Sequence, residues 1–246
     1  AGIGGGRSAD GDVTISGGTI KKAESLSPTD PGGAGIGGGY YGDGRVTITG
    51  DAVIEVAQDG IQSAGIGGGQ GADGVVEISG NARIDKVIDG DYAAGIGSGL
   101  GESGAPCNGK VTIKDNAKIG LAQGGFGAAG IGGGVLGTGD VTIEGNVTIE
   151  NAKGGAGAAG IGGGAETQPD TEDTRNKVSI KSTEAGSPNI TATGGGVLND
   201  ENYPLPGAAA IGSGSVADGA TEVKSDITVE GKVTIDATGG GDVAIG

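Results

Sequence analysis

No histidine, tryptophan or methionine occurs in the chain, and phenylalanine and cysteine occur once each. Without histidine, Ser-His-Asp and Cys-His catalysis are excluded, as are zinc sites that use imidazole. The single thiol, Cys107, permits no internal disulfide, so cysteine usage does not fix the compartment. In its loop-like surroundings it is expected to be an incidental surface thiol. Aromatic side chains make up 2% of the residues, so any core has to be thin and aliphatic. No apolar run approaches the roughly 18–20 residues that span a bilayer as a helix. Basic residues are scarce as well, 15 against 31 acidic ones for a net charge of −16. That balance repels phosphate backbones and anionic lipid, which makes nucleic acid and membrane insertion poor expectations.

What the chain has is glycine, 62 residues of 246, without the third-position period of collagen. The hexapeptide Ala-Gly-Ile-Gly-Gly-Gly stands at residues 1–6, 34–39, 64–69, 129–134 and 159–164, with Ser98 replacing one glycine at 94–99. Degenerate copies follow at 210–214 and 244–246. The motif isoleucines are Ile3, Ile36, Ile66, Ile96, Ile131, Ile161, Ile211 and Ile245, separated by 33, 30, 30, 35, 30, 50 and 34 residues. A basic period of 30 with insertions marks one supersecondary unit per repeat.

Two further anchors recur inside the unit. A Val-Thr-Ile-like triplet ends 12 residues after the motif isoleucine, as at Ile15, Ile48, Ile78 and Ile143, and another isoleucine follows six residues later, as at Ile54, Ile84, Ile119 and Ile149. Short β-branched segments separated by Gly, Asn and Asp turns read as three strands per coil. No stretch carries a 3.6-residue apolar period with caps, so almost no helix is expected. The pattern predicts one all-β domain over 1–246. It is a single-stack, right-handed parallel β-helix, or β-solenoid, of about seven to eight coils, the hand following the general bias of crossovers. Insertion loops are expected near 24–32, 100–108, 165–176, 182–188 and 197–206.

The turns carry their own expectations. Asp10-Gly11, Asp43-Gly44, Asp73-Gly74 and Asn108-Gly109 are expected to supply positive φ where the chain reverses. Asp51, Asn81, Asn116 and Asn146 recur at a second turn, where stacked side chains hydrogen-bond along a ladder. Strict alternation along the motif strand turns Ile36 inward and Gly35, Gly37 and Gly39 outward, a side-chain-free strip that would receive a flat partner if it faces solvent. The competing expectation is that these glycines lie at positive φ or beneath another backbone.

Candidate sites are few. Tyr40 and Tyr41, with Asp43 beside them, form the most conspicuous aromatic pair for stacking on a sugar. Asp10, Asp12, Asp43 and Asp73, with Asp89 and Asp91, offer the carboxylates that calcium favours; the competing reading makes them turn formers. No cofactor is required by anything in the sequence, and calcium is the one metal it suggests. A hydroxyl row from Thr14 to Thr228 is similar to ice-binding surfaces, but Glu77 interrupts it and β-propensity explains its threonines. GxGxxG occurs at 37–42 and 132–137, before strand sequence instead of a helix, so it is no dinucleotide site.

The reiterated hexapeptide, followed by a Val-Thr-Ile strand and a Gly-Asn turn, resembles the glycine-rich repeat regions of bacterial surface proteins, especially of Gram-positive type. More remotely, with Asn81, Asn116 and Asn146 in ladder positions, it is similar to the pectate-lyase-like parallel β-helix superfamily. The first resemblance implies a non-enzymatic extracellular or cell-surface module of structural or adhesive kind that binds polysaccharide. End-to-end self-association into a filament is the alternative; a polysaccharide-degrading enzyme and an ice-binding protein rank below it. Because the sequence starts at Ala1 inside a motif, it is expected to be a mature product or an excised segment.

Overall fold

The computed structural model describes residues 1–26, 32–88, 91–102, 105–165, 175–197, 205–216, 223–241 and 244–246. Among them every regular element is a strand and none is a helix. One coil runs through a two-residue motif strand, Ile36–Gly37, a second strand, Gly44–Ile48, and a third, Val53–Gln58, before the next motif strand, Ile66–Gly67. Each strand pairs in parallel with its counterparts one coil before and after, giving three stacked sheets. The motif sheet and the second sheet have seven strands. The third has eight because its first rung is split into Thr19–Ile20 and Ala23–Glu24, both paired with Val53–Gln58. The fold is the parallel β-solenoid with three strands per coil that the spacing predicts.

All eight motif isoleucines stack in register, from Ile3 opposite Ile36 to the isolated bridge between Ile211 and Ile245. Even the 50-residue interval between Ile161 and Ile211 leaves them paired. Most of the insertions expected near 24–32, 165–176 and 197–206 lie outside the described residues. In the other two, Glu102 bridges Ala105 and Thr183 bridges Gly186, both antiparallel.

Alternation explains the second sheet, whereas strands of the third bury residues three apart, Ile54 and Ala57 in one coil and Ile84 and Val87 in the next. Val46 and Ile48 are buried while Arg45 is exposed between the coils' edges. Columns such as Ile36–Ile66–Ile96, Ile48–Ile78–Ile113 and Ile54–Ile84–Ile119 merge into one aliphatic core that contains no aromatic side chain. Each fully buried isoleucine contributes about 1.5–3 kcal/mol of apolar transfer. At the two ends the core is thinly covered: Ile3, Ile15, Ile227 and Ile235 are only partly buried, and Val229 and Ile245 are 47% and 46% exposed.

The motif strand does not follow simple alternation. Residues 34–39 are all buried, so the side-chain-free strip does not face solvent. Regular pairing ends after two residues because Gly37 adopts φ 134°, as its equivalents do in every rung. A methyl on Gly37 would overlap the carbonyl of Gly67 in the next coil. The competing expectation, positive φ beneath neighbouring backbone, is therefore the one observed. The Asp-Gly turns are corrected as well. Gly11, Gly44 and Gly74 begin strands and Gly109 is second in its strand, all without positive φ, and glycine is needed there because a side chain would strike the motif strand's carbonyls. The left-handed residue of that corner lies earlier, at Ser8, Tyr41, Gly71 and Leu136.

Candidate functional site

Tyr40 and Tyr41 occupy the corner after the second motif, where the N–H of Gly42 closes a turn onto the carbonyl of Gly39 at 2.9 Å. Tyr41 takes φ 56°, uncommon for a bulky residue, and its ring lies over Gly71, where any side chain would collide with it. The two rings are 4.1 Å apart and tilted by 48°, and the guanidinium of Arg7 sits 5.2 Å from the centre of Tyr40. The Tyr41 hydroxyl donates to Glu102 Oε1 at 3.2 Å. Hydrogen bonding with Tyr40 and Glu102, reinforced by their charges, pushes the Tyr41 phenol up to about 12. The pair thus ties together loops from the first coil, at Arg7, to the fourth, at Glu102, with Tyr41 still 50% exposed.

Asp43 does not join the tyrosines in a cluster; it belongs to a carboxylate stack. Asp10 Oδ1 accepts the Asp43 N–H at 2.9 Å, Asp43 Oδ1 accepts that of Asp73 at 3.0 Å, and Asp73 Oδ1 accepts that of Asn108 at 2.7 Å. The column ends in a hydrogen bond from Thr138 to Asn108 Oδ1. One oxygen of each carboxylate is therefore held by the backbone one coil on. Burial raises the Asp73 carboxyl above its ordinary value, the Asn108 N–H opposes that rise, and the charge of Asp43 adds to it. Asp12 stands outside this column, exposed and opposite Arg45 across the rung. A groove of about 370 Å3 runs beside Asp10, Asp12, Asp43 and Asp73. Among the described residues no group of three or more His, Cys, Asp or Glu converges as a ligand set. Asp89 lies outside the described residues, and Asp91 is in a loop before the fourth motif.

Cys107 is not a surface thiol. It is 3% exposed, its Sγ lies 3.7 Å from the Leu100 carbonyl, and burial, with the charges of Asp73, Asp43 and Glu102, pushes it up to about 12.

At the second turn the ladder forms as the spacing predicts. Asn146 donates to Asn116 at 3.1 Å, Asn116 to Asn81 at 3.2 Å and Asn81 to Asp51 at 2.9 Å. All the donors point toward the N-terminal coils, and the acceptor-only carboxylate ends the chain. The hydroxyl row Thr14, Thr47, Glu77, Thr112, Thr142, Ser179 and Thr228 also stacks in register on the second sheet's outer face.

Where the third sheet turns back to the motif, glycine doublets Gly124-Gly125, Gly154-Gly155 and Gly194-Gly195 floor a groove of about 410 Å3 that spans three successive coils. Stacking demands these glycines: a methyl on Gly155 would overlap the Gly125 carbonyl, and one on Gly195 that of Gly155. The N–H groups of Gly125, Gly155 and Gly195 bond to Ala93, Ala128 and Ala158, so recognition falls to the walls. Gln123 and Lys153, opposite one another across the rung, line the groove together with Phe126 and Val197. The signal was in the sequence: the first two doublets each stand seven residues before a motif isoleucine. Comparison with models of known families, with curated proteins and with solved structures returned no match.

Proposed function

We propose that this chain is a non-enzymatic structural or adhesive module of a cell surface or extracellular matrix, and that it binds a polysaccharide along the glycine-floored groove. One observation carries the reading. The groove is open, crosses three coils and has no side chains on its floor. Successive coils are about 4.8 Å apart, close to the length of one sugar residue in an extended glycan. Phe126 supplies an apolar ring face, while Gln123 and Lys153 supply donors at consecutive positions. The carboxylates of Asp10, Asp43 and Asp73 each spend an oxygen on a backbone N–H of the next coil, a structural use that supports a role without catalysis. With a net charge of −16, the molecule favours a neutral glycan over an acidic one.

Affinity measurements against neutral and acidic polysaccharides test this. Binding is expected to fall about tenfold in Phe126→Ala and Lys153→Ala and to persist in Tyr40→Ala and Tyr41→Ala. The reverse pattern would move the site to the tyrosine corner. No binding to any glycan would refute the reading.

A further inference from the structure

The outer face of the second sheet carries charge in an ordered form. On one side of the hydroxyl row, Lys110, Asp140, Lys177 and Asp226 follow one another in register over four coils. On the other side, Lys114, Glu144, Lys181 and Glu230 do the same. Each column reads plus, minus, plus, minus. Within the chain this sets opposite charges side by side, and Lys181 reaches Glu230 at 3.1 Å. Lys114 instead meets Glu77 at 2.9 Å and Asp226 meets Arg175 at 3.3 Å. In a protein of net charge −16, these eight side chains sum to zero on one face.

Such a column is complementary to itself when reversed. We infer that this face pairs with the same face of a second copy, the two solenoids lying antiparallel about a twofold axis between the coils of Asp140 and Lys177. Lys110 then meets Asp226 of the other copy, Asp140 meets Lys177, Lys114 meets Glu230 and Glu144 meets Lys181, each pair occurring twice. Thr142 faces Ser179 at the centre. A twofold axis along the solenoid instead sets Lys110 against Lys114 and Asp140 against Glu144, like charges throughout, so the charge order selects the antiparallel arrangement. It also carries the carboxylate stack of Asp10, Asp43 and Asp73 to opposite ends of the pair.

Four coils at 4.8 Å, with strands of up to eight residues at 3.3 Å, cover roughly 500 Å2 per copy. That is below the roughly 800 Å2 of a standard stable interface. The dimer is therefore weak and salt-sensitive, unlike one held by an apolar patch.

Sedimentation equilibrium of the full chain at low and high salt is the test, with thermal melting of each variant alongside. The wild type is expected to dimerise at low salt and dissociate as salt rises. Lys177→Glu weakens the dimer about tenfold or more, and the double variant Asp140→Lys/Lys177→Glu recovers it, because each reversed charge again faces its opposite. Should that pair fail to fold, Lys110→Glu/Asp226→Lys makes the same exchange at the outer contacts. A wild type that stays monomeric at low salt overturns the proposal. So does a Lys177→Glu chain that dimerises as well as the wild type, or a folded double variant that remains monomeric.

Discussion

At the residue scale, what a glycine does here depends on the coil above or below it. Gly6 and Gly39 hold the same motif position, but a methyl on Gly6 meets open space, whereas one on Gly39 would overlap the Gly6 carbonyl. Gly39→Ala is expected to cost about 3 kcal/mol or more and Gly6→Ala to be within about 0.5 kcal/mol of neutral in denaturant unfolding. Equal costs would mean that conformational freedom, not close approach, selects the glycines. Tyr41 gives a second residue-scale prediction. Its phenol ionises near 12 in the fold against an ordinary 10, so the neutral form is the one the corner holds. The stability it lends is whole below pH 10 and is lost as pH rises toward 12. The tyrosinate absorbance of wild type minus that of Tyr41→Phe should therefore step near pH 12. A step at pH 10 would show that the hydrogen bonds with Tyr40 and Glu102 are not kept. Cys107 differs from its sequence expectation because the end of its loop folds back, placing the thiol against the Leu100 carbonyl, and composition alone does not show which loop residue turns inward.

At the element scale, the period of the strands was legible because in-register stacking repeats the same packing problem in every coil, and isoleucine answers it each time. The Asn ladder was legible on the same ground, since identical turns place identical side chains one above another. What alternation misjudged was the motif strand. Its pleat is broken at the second residue by the φ of Gly37, which no count of apolar positions reveals. The glycine groove was overlooked because its doublets recur at a turn, where glycine is expected anyway. Asn116 tests the ladder itself. It donates to Asn81 and accepts from Asn146, so Asn116→Ala removes two bonds from the row. Because the row is exposed and water replaces the lost partners, the expected loss is about 1 kcal/mol, not the larger cost of a buried polar deletion. Thermal unfolding checks this, and a loss of several kcal/mol would mean that the ladder is shielded in solution, as it would be inside an assembly.

At the scale of the whole molecule, every strand of the stack pairs with the coils next to it, so stability is close to a sum of coil terms and coil–coil interfaces, and opening proceeds inward from the ends. Ile96 is fully buried between Ile66 and Ile131. In the last coil Ile235 has a partner, Ile190, on one side and is only partly buried. Ile96→Ala is expected to cost about 2–5 kcal/mol, the range for an emptied core site, and Ile235→Ala clearly less. Hydrogen exchange should show the same gradient. The amide of Ile96, bonded to the Gly130 carbonyl at 3.0 Å, exchanges only through opening of the central coils, while those of the Ser225–Glu230 and Thr234–Thr238 strands exchange through fraying. Antiparallel pairing through the second sheet changes this picture in one place. It covers Ser225–Glu230 with the coil of Lys110 from the other copy, so raising the protein concentration at low salt should slow exchange in Ser225–Glu230 and leave Thr234–Thr238 unchanged. If both strands were protected together, the ends themselves would be the contact, and the copies would associate end to end instead of face to face.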